Sequence, residues 1–303
     1  MRKLLLLGGA GFVGSHMKKH CHDRFDVVST GREVDIRHAE QIQSLIAREQ
    51  PSDVVILAAI TTLKESIENP RTTYDINFGG TLNVLIALRN LGFTGRLLFV
   101  SSSEVYGFIN GADLPVDELR IMRPLNPYAV SKIASEALCH LWSQNEKFKI
   151  IISRPFNHIG PGQSERFAIA DFGRQIAMIK LGLAPPVIRV GDIDTTRDFT
   201  DVRDIVSAYE ILLDLGQNGE IYNVCSGRER SIRSLIERMC QLVGVNVEIE
   251  IDSERFRPSK QRRMRGSNEK IIKATGWSIT YPMDQTLIAI LDDWIDRLGS
   301  DAS

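Results

Sequence analysis

Short runs of mainly apolar residues fall at 3–7, 26–29, 54–57, 97–101 and 150–153, the pattern of strands buried on both faces of a sheet. Between them, residues 39–48, 81–91 and 129–141 carry apolar side chains at three- and four-residue spacing, the period of an amphipathic helix. Strand and helix in alternation predict a βαβ series, and therefore an α/β fold built on a doubly wound parallel sheet. After about Pro155 the pattern loosens. Gly160-Pro161-Gly162 reads as a turn, and shorter elements follow at 187–190, 202–215 and 220–224. Ser231 is a good N-cap for a helix that Gly244 stops; a strand is expected at 247–251 and a last amphipathic helix near 282–298. A smaller α/β lobe follows from these elements, with no repeat or linker between it and the first.

Composition narrows the classes. At 303 residues, 43% hydrophobic and 25% charged, the chain is ordinary globular protein. Lys plus Arg number 37 against 38 Asp plus Glu, so the net charge of −1 supplies no global field for nucleic acid or an anionic membrane. The four cysteines, Cys21, Cys139, Cys225 and Cys240, lack the close spacing of a metal knuckle or a redox dithiol, so no metal is expected and a reducing, cytoplasmic compartment is. Leu4 to Leu7 breaks into glycines too early for a signal peptide, and no run approaches the roughly 18 apolar residues of a membrane span.

Gly8-Gly9-Ala10-Gly11-Phe12-Val13-Gly14 directly follows the first strand and opens a helix, which is the setting of a dinucleotide-binding turn on a Rossmann sheet. Gly8 permits the tight turn, Gly11 lets a pyrophosphate approach the backbone, and Gly14 packs helix on strand. The helix N-terminus then offers free N–H groups to the phosphates. The second strand ends at Ser29-Thr30-Gly31-Arg32 with no acidic residue for a ribose 2′-hydroxyl. Arg32 can face a 2′-phosphate, which favours NADP(H) over NAD(H); Asp35 is the acidic alternative or a neighbour of the adenine, beside Ile36.

Asn126 as N-cap and Pro127 at the first helical position start a helix that puts Tyr128 and Lys132 on one face. At this spacing an ammonium is expected to lower the phenol pKa from about 10 and make Tyr128 a general acid–base. Any exposed Tyr–Lys pair on a helix would look the same in isolation. Ser101, Ser102 and Ser103 end the fourth strand at the sheet edge where such folds place ligands, and Glu104 and Tyr106 follow. Gly79 and Gly80 sit inside an otherwise helical stretch from 74 to 91, each costing roughly 1 kcal/mol against alanine. Close approach of another group would explain them, and Asn77, Thr81 and Asn83 around them suggest a polar network.

Gly8-x-x-Gly11-x-x-Gly14, Ala58-Ala59, Asn77, the Ser102 cluster and Tyr128-x-x-x-Lys132, in that order, resemble the extended short-chain dehydrogenase/reductase family over the whole chain. Arg154-Pro155-Phe156-Asn157-His158-Ile159-Gly160-Pro161-Gly162-Gln163, Arg197-Asp198-Phe199-Thr200-Asp201-Val202-Arg203-Asp204 and Tyr222-Asn223-Val224-Cys225-Ser226-Gly227 look like the members that act in GDP-deoxymannose metabolism, as do Arg257-Pro258 and Thr275-Gly276-Trp277. The resemblance implies hydride transfer from NADPH to the C4 ketone of a GDP-4-keto-6-deoxy sugar, GDP-4-dehydro-6-deoxy-D-mannose, giving GDP-D-rhamnose. Tyr128 would protonate the alkoxide, Ser102 would polarise the ketone, and Lys132 would hold the cofactor ribose. Ser103, Asn157, Arg197 and Arg257 would bind the substrate, while Gly8, Gly11, Phe12, Val13, Gly14, Arg32, Asp35, Ile36, Ala58, Ala59 and Asn77 would line the cofactor site together with Tyr128 and Lys132. Residues 1–160 plus about 198–225 would hold the dinucleotide, and about 161–197 plus 226–303 the sugar nucleotide. A homodimer through a four-helix contact is the family expectation for residues 81–91 and 129–141. Glu104 keeps a 4,6-dehydratase reading open, because dehydratases of the family place a glutamate there. A 4-epimerase also fits the Tyr–Lys pair, and the fold can serve as a non-enzymatic nucleotide-binding module.

Overall fold

The computed structural model describes residues 1–256 and 260–301. Its first part alternates β1 (Arg2–Leu7), α1 (Phe12–Cys21), β2 (Phe25–Ser29), α2 (Ala39–Glu49), β3 (Asp53–Ile56), α3 (Leu63–Glu68), α4 (Pro70–Tyr74), α5 (Gly80–Asn90), β4 (Arg96–Val100), α6 (Pro127–Asn145) and β5 (Lys149–Pro155). Then come β6 (Asn157–Ile159), α7 (Ala168–Lys180), β7 (Val187–Val190), β8 (Thr196–Asp201), α8 (Val202–Leu215), β9 (Ile221–Val224), β10 (Glu229–Ser231), α9 (Ile232–Val243), β11 (Glu248–Ile251), α10 (Glu269–Thr275) and α11 (Met283–Asp301).

Six strands form a parallel sheet in the order β2-β1-β3-β4-β5-β9. The chain steps from β1 to β2 and then back to β3 on the other side of β1, so the order reverses at the carboxyl end of β1, where open α/β sheets bind ligands. The apolar runs are continuous because both faces are covered. Leu4 and Leu6 pack with Met17, Ile205 and Tyr209 of α1 and α8, whereas Leu5 and Leu7 pack with Ile42, Leu85 and Cys139 of α2, α5 and α6. Strands β10-β8-β6 and β11-β7 make two small sheets, and α7, α9 and α11 close a separate core around Ile176, Met239 and Leu291. Ser231 Oγ accepts from Ser234 N and Gly244 adopts φ 70°, the cap and the stop expected of α9.

One expected helix differs. Residues 74–91 are not one helix: α4 runs through a single wide turn at Asp75–Gly79, with bonds five residues apart, into α5. Gly80 is explained by close approach, since a Cβ there would lie 2.3 Å from Ile36 Cδ1. At Gly79 a Cβ would meet nothing nearer than Tyr74 O at 3.9 Å, and its place in the wide turn is the only feature that sets it apart.

Candidate active site

The glycine turn is shaped by contacts that leave no room for side chains. A Cβ at Gly8, whose φ is 83°, would lie 2.6 Å from the Ala58 amide nitrogen, and one at Gly14 would lie 2.4 Å from Gly9 Cα. Gly11 is different: a Cβ would meet only Gly8 O at 3.3 Å, so this backbone has open space in front of it. Gly11 also N-caps α1 without a side chain to bond the first amides. An uncapped helix start beside an open glycine is what a pyrophosphate requires, so the residues present fit a dinucleotide. Phe12 stacks on His158 of β6, with ring centroids 6.1 Å apart and planes 8° apart, and Val13 packs into the core beneath.

At the end of β2 the structure adds a residue that the sequence reading passed over. Glu33 Oε1 accepts from Gly31 N at 2.5 Å, bringing an exposed carboxylate back to the strand end, next to Arg32. Asp35 forms a bidentate pair with Arg37, whose hydrogen bond holds the Asp35 carboxyl at about 2. Ile36 is buried under α5 against Gly80, and its carbonyl accepts from Asn83 Nδ2. Asn77 is also buried and fully engaged: its amide bonds Ile60 N, Ile60 O and Ser131 Oγ. It ties the segment after β3 to α6, so any effect it has on a bound group passes through Ile60 and Ser131.

At the carboxyl end of β4, Ser102 Oγ accepts from Glu104 N at 3.2 Å and caps a short turn over Ser103–Tyr106. Asn126 Oδ1 accepts from Ala129 N at 2.8 Å and starts α6, with Pro127 in its first turn. The two caps bring Ser102 to Tyr128. Burial pushes the Tyr128 phenol up to about 12, the Ser102 hydroxyl opposes this, and the Glu104 charge adds to it. The expectation that Lys132 lowers the phenol pKa is therefore corrected. Lys132 Nζ donates to Val100 O at 2.7 Å and stands 5.9 Å from the Tyr128 ring centroid, directed at β4 rather than at the phenol oxygen. Burial lowers Lys132 itself to about 8, against the pull of Glu136 one helical turn on.

Glu104 is exposed, and its carboxylate accepts from Asn126 Nδ2 at 3.2 Å. Arg197, on β8, is half-buried; burial works against its charge and Glu104 supports it, so the two groups lie near one another. Asn157 is exposed at the start of β6, paired with Phe199 of β8. Ser103 is buried in the turn, Ala58 and Ala59 are half-buried after β3, and Arg257 lies outside the described residues. Among the described residues no group of three His, Cys, Asp or Glu side chains could hold a metal ion, and no helix is long and apolar enough to cross a membrane. A shallow cavity at the opposite, amino edge of the sheet is lined by Arg2, Asp53, Arg96 and Lys149. Arg2 pairs there with Asp53 at 2.6 Å and with Asp214 at 2.5 Å, which marks an ion-pair network at the end of the sheet away from Ser102, Tyr128 and Lys132.

The family model described as GDP-mannose 4,6 dehydratase matches residues 18–289. GDP-6-deoxy-D-mannose reductase of Pseudomonas aeruginosa is 43% identical over 98% of this chain and 98% of its own length. A solved structure of RMD from Pseudomonas aeruginosa in complex with NADPH superposes with a TM-score of 0.93, at 43% identity, covering 98% of this chain and all of that one. The UDP-glucose 4-epimerase of Thermus thermophilus, solved with NAD, gives a TM-score of 0.84 at 27% identity over 96% of this chain and 98% of that one. Matched along most of its length by that model and nearly end to end by such relatives, the chain belongs to the GDP-mannose 4,6-dehydratase family of extended short-chain dehydrogenases/reductases.

Proposed function

We propose that this protein is an NADPH-dependent sugar-nucleotide 4-reductase that converts GDP-4-dehydro-6-deoxy-D-mannose to GDP-D-rhamnose. The observation that carries the reading is the convergence of Ser102, Tyr128 and Lys132 at the carboxyl edge of the sheet, in a chain 43% identical end to end to a GDP-6-deoxy-D-mannose reductase. NADPH supplies the hydride when bound. Gly8, Gly11, Phe12, Val13 and Gly14 hold its pyrophosphate on the start of α1, with Arg32 towards a 2′-phosphate. Asp35, Ala58 and Ala59 line the wall, with Ile36 and Asn77 buried behind it. Preference for NADP(H) rests on Arg32 and on the NADPH held by the Pseudomonas structure.

A phenol held up at about 12 keeps its proton at neutral pH, the form a reductase needs. Tyr128 Oη gives that proton to the C4 oxygen as it gains charge, and Ser102 Oγ donates a hydrogen bond to the same oxygen. Lys132 holds the ribose side of the site. Ser103, Asn157, Arg197 and Arg257 take the substrate, the guanidiniums supplying local positive charge in a chain of net charge −1. Residues 1–160 plus about 198–225 serve the dinucleotide and about 161–197 plus 226–303 the sugar nucleotide. On α6, Val130, Ala134, Ala137 and Leu141 recur at four, three and four residues, and Val130 and Leu141 are 40% and 59% exposed. This stripe suits a homodimer through a four-helix contact, to be read by light scattering as twice 34.0 kDa.

The test is absorbance at 340 nm with NADPH or NADH and the 4-keto sugar made in place by a dehydratase. Loss of signal supports the reductase. The exposed Glu104 favours one other reading, a GDP-mannose 4,6-dehydratase; consumption of GDP-mannose by the protein alone, with no reductant, would establish it instead.

A further inference from the structure

We infer that Glu136 is a positioning residue for the reaction, a buried carboxylate that links α6, β4 and β5 behind the catalytic side chains and sustains the Lys132 charge. The inference rests on the reductase reading for its use in turnover.

Glu136 stands one helical turn beyond Lys132 and is 3% exposed. One of its oxygens accepts from Ser101 Oγ, the residue before Ser102, so the carboxylate grips the end of β4. The other accepts from Arg154 Nη2 at 2.6 Å, and Arg154 Nε bonds the first at 3.0 Å, which ties in β5. Arg154 is 2% exposed and donates onward to Tyr106 Oη at 3.1 Å; Tyr106 donates to Asn223 Oδ1 at 2.6 Å. The chain of bonds therefore runs from the catalytic helix through two strands to the turn that carries Ser103 and Glu104.

Buried ion pairs are costly to assemble, and an apolar pair of similar volume often serves stability as well. Keeping one beside Lys132 calls for a use. Glu136 and Cys139 on its own helix act on Lys132, with Tyr128 one turn before; Arg154 on β5 pairs with Glu136, Tyr106 on the turn after β4 bonds Arg154, and Glu104 on that turn acts on Tyr128. Burial drives the Cys139 thiol and the Tyr106 phenol upward, so both stay neutral at ordinary pH. Burial also works to strip Lys132 of its proton, and Glu136 leads the interactions that oppose it. Without that carboxylate the ammonium would be lost nearer neutrality, and with it the charge that a cofactor ribose would meet.

The experiment measures Lys132 directly. In protein with isotope-labelled lysine, the Lys132 ε-carbon resonance, identified by its loss in Lys132→Arg, is followed by NMR against pH. Because Glu136→Gln alone strands Arg154, the main comparison is Glu136→Gln/Arg154→Met, with Glu136→Asp as the variant that keeps the charge. Lys132 is expected to titrate near 8 in the wild type and about one unit or more lower in the double variant than in Arg154→Met, which removes the cation alone, with Glu136→Asp close to wild type. The alkaline limb of kcat/KM for ketone reduction should move the same way. The same Lys132 titration in the double variant as in Arg154→Met overturns the inference, as does a limb that stays in place while Lys132 shifts. A wild type without reductase turnover would instead count against the proposed function, and the NMR titration would still decide whether Glu136 sustains the lysine.

Discussion

Two glycines in helical surroundings offer a matched pair of substitutions with opposite expected results. In Gly14→Ala the added Cβ would sit 2.4 Å from Gly9 Cα and Gly9 O and 2.6 Å from Gly9 C, all of them backbone. Ordinary contact between such atoms needs about 3.5 Å, so α1 must move off the turn by about 1 Å. Forced overpacking of this kind costs about 1–3 kcal/mol. For a chain this large that corresponds to a fall in Tm of about 2–4 °C per kcal/mol. In Gly79→Ala the nearest atom is Tyr74 O at 3.9 Å and the backbone is already helical at φ −59°, so the same methyl should be neutral or should stabilise by about 0.5–1 kcal/mol. Thermal unfolding reads the stability, and quenching of tryptophan fluorescence by NADPH reads the dinucleotide affinity. Gly14→Ala should lose at least tenfold in NADPH affinity, because displacing α1 by 1 Å misplaces every amide aimed at the pyrophosphate; Gly79→Ala should lose none. If Gly14→Ala unfolded and bound NADPH like the wild type, the steric account of the turn would be wrong.

Tyr128→Phe should reduce kcat by about 10²–10⁴-fold with the fold retained, as steady-state kinetics and circular dichroism would show. Lys132 gives a stability test with a definite sign. Its folded value near 8 lies below the ordinary 10.5, so below pH 8 both states are protonated and the wild type bears the full cost of a buried ammonium. Between 8 and 10.5 the unfolded chain binds the extra proton and wild-type stability rises with pH relative to Lys132→Met. Urea unfolding of both proteins at pH 7, 8, 9 and 10 checks this, and a constant difference between them would refute it. Arg32→Glu should shift the ratio of kcat/KM values from NADPH towards NADH by tenfold or more, since it removes a cation from a site where Glu33 already places a carboxylate. Glu104→Gln should leave ketone reduction within about threefold if the protein is a reductase, and abolish GDP-mannose consumption if it is a dehydratase.

The parallel sheet was legible because its signal is local and dense: five strands with apolar runs at their centres fall within a residue or two of their expected ends. The cap at Asn126, the proline after it and the stop at Gly244 are equally local, and they emerge where expected. The three-residue strands β6 and β10 were missed because a strand that short has no period to read. Strand β8 carries Arg197 and Asp198 amid threonines, and burial of those polar residues depends on partners elsewhere in the chain, such as Ser226 and Gly266 on Asp198. The return of Glu33 to Gly31 depends on a loop backbone that no spacing rule specifies. Four-residue spacing placed Tyr128 and Lys132 on one face but could not tell where the ammonium points; Val100 O captures it. Glu136 and Arg154 lie on separate elements, and pairing across that distance leaves no mark in a single sequence.

The order of strands has a consequence for how the chain is made. Strand β9, the outermost partner of β5, is drawn from residues 221–224, after β6, α7, β7, β8 and α8 have all been traversed. During synthesis the edge of β5, with Ile150, Ile151 and Ile152 fully buried in the finished protein, stands without its neighbour while about 65 further residues are added. At about 5–20 residues per second that interval lasts about 3–13 s. For that time the nascent chain presents an unpaired apolar strand edge of the kind that invites wrong pairing.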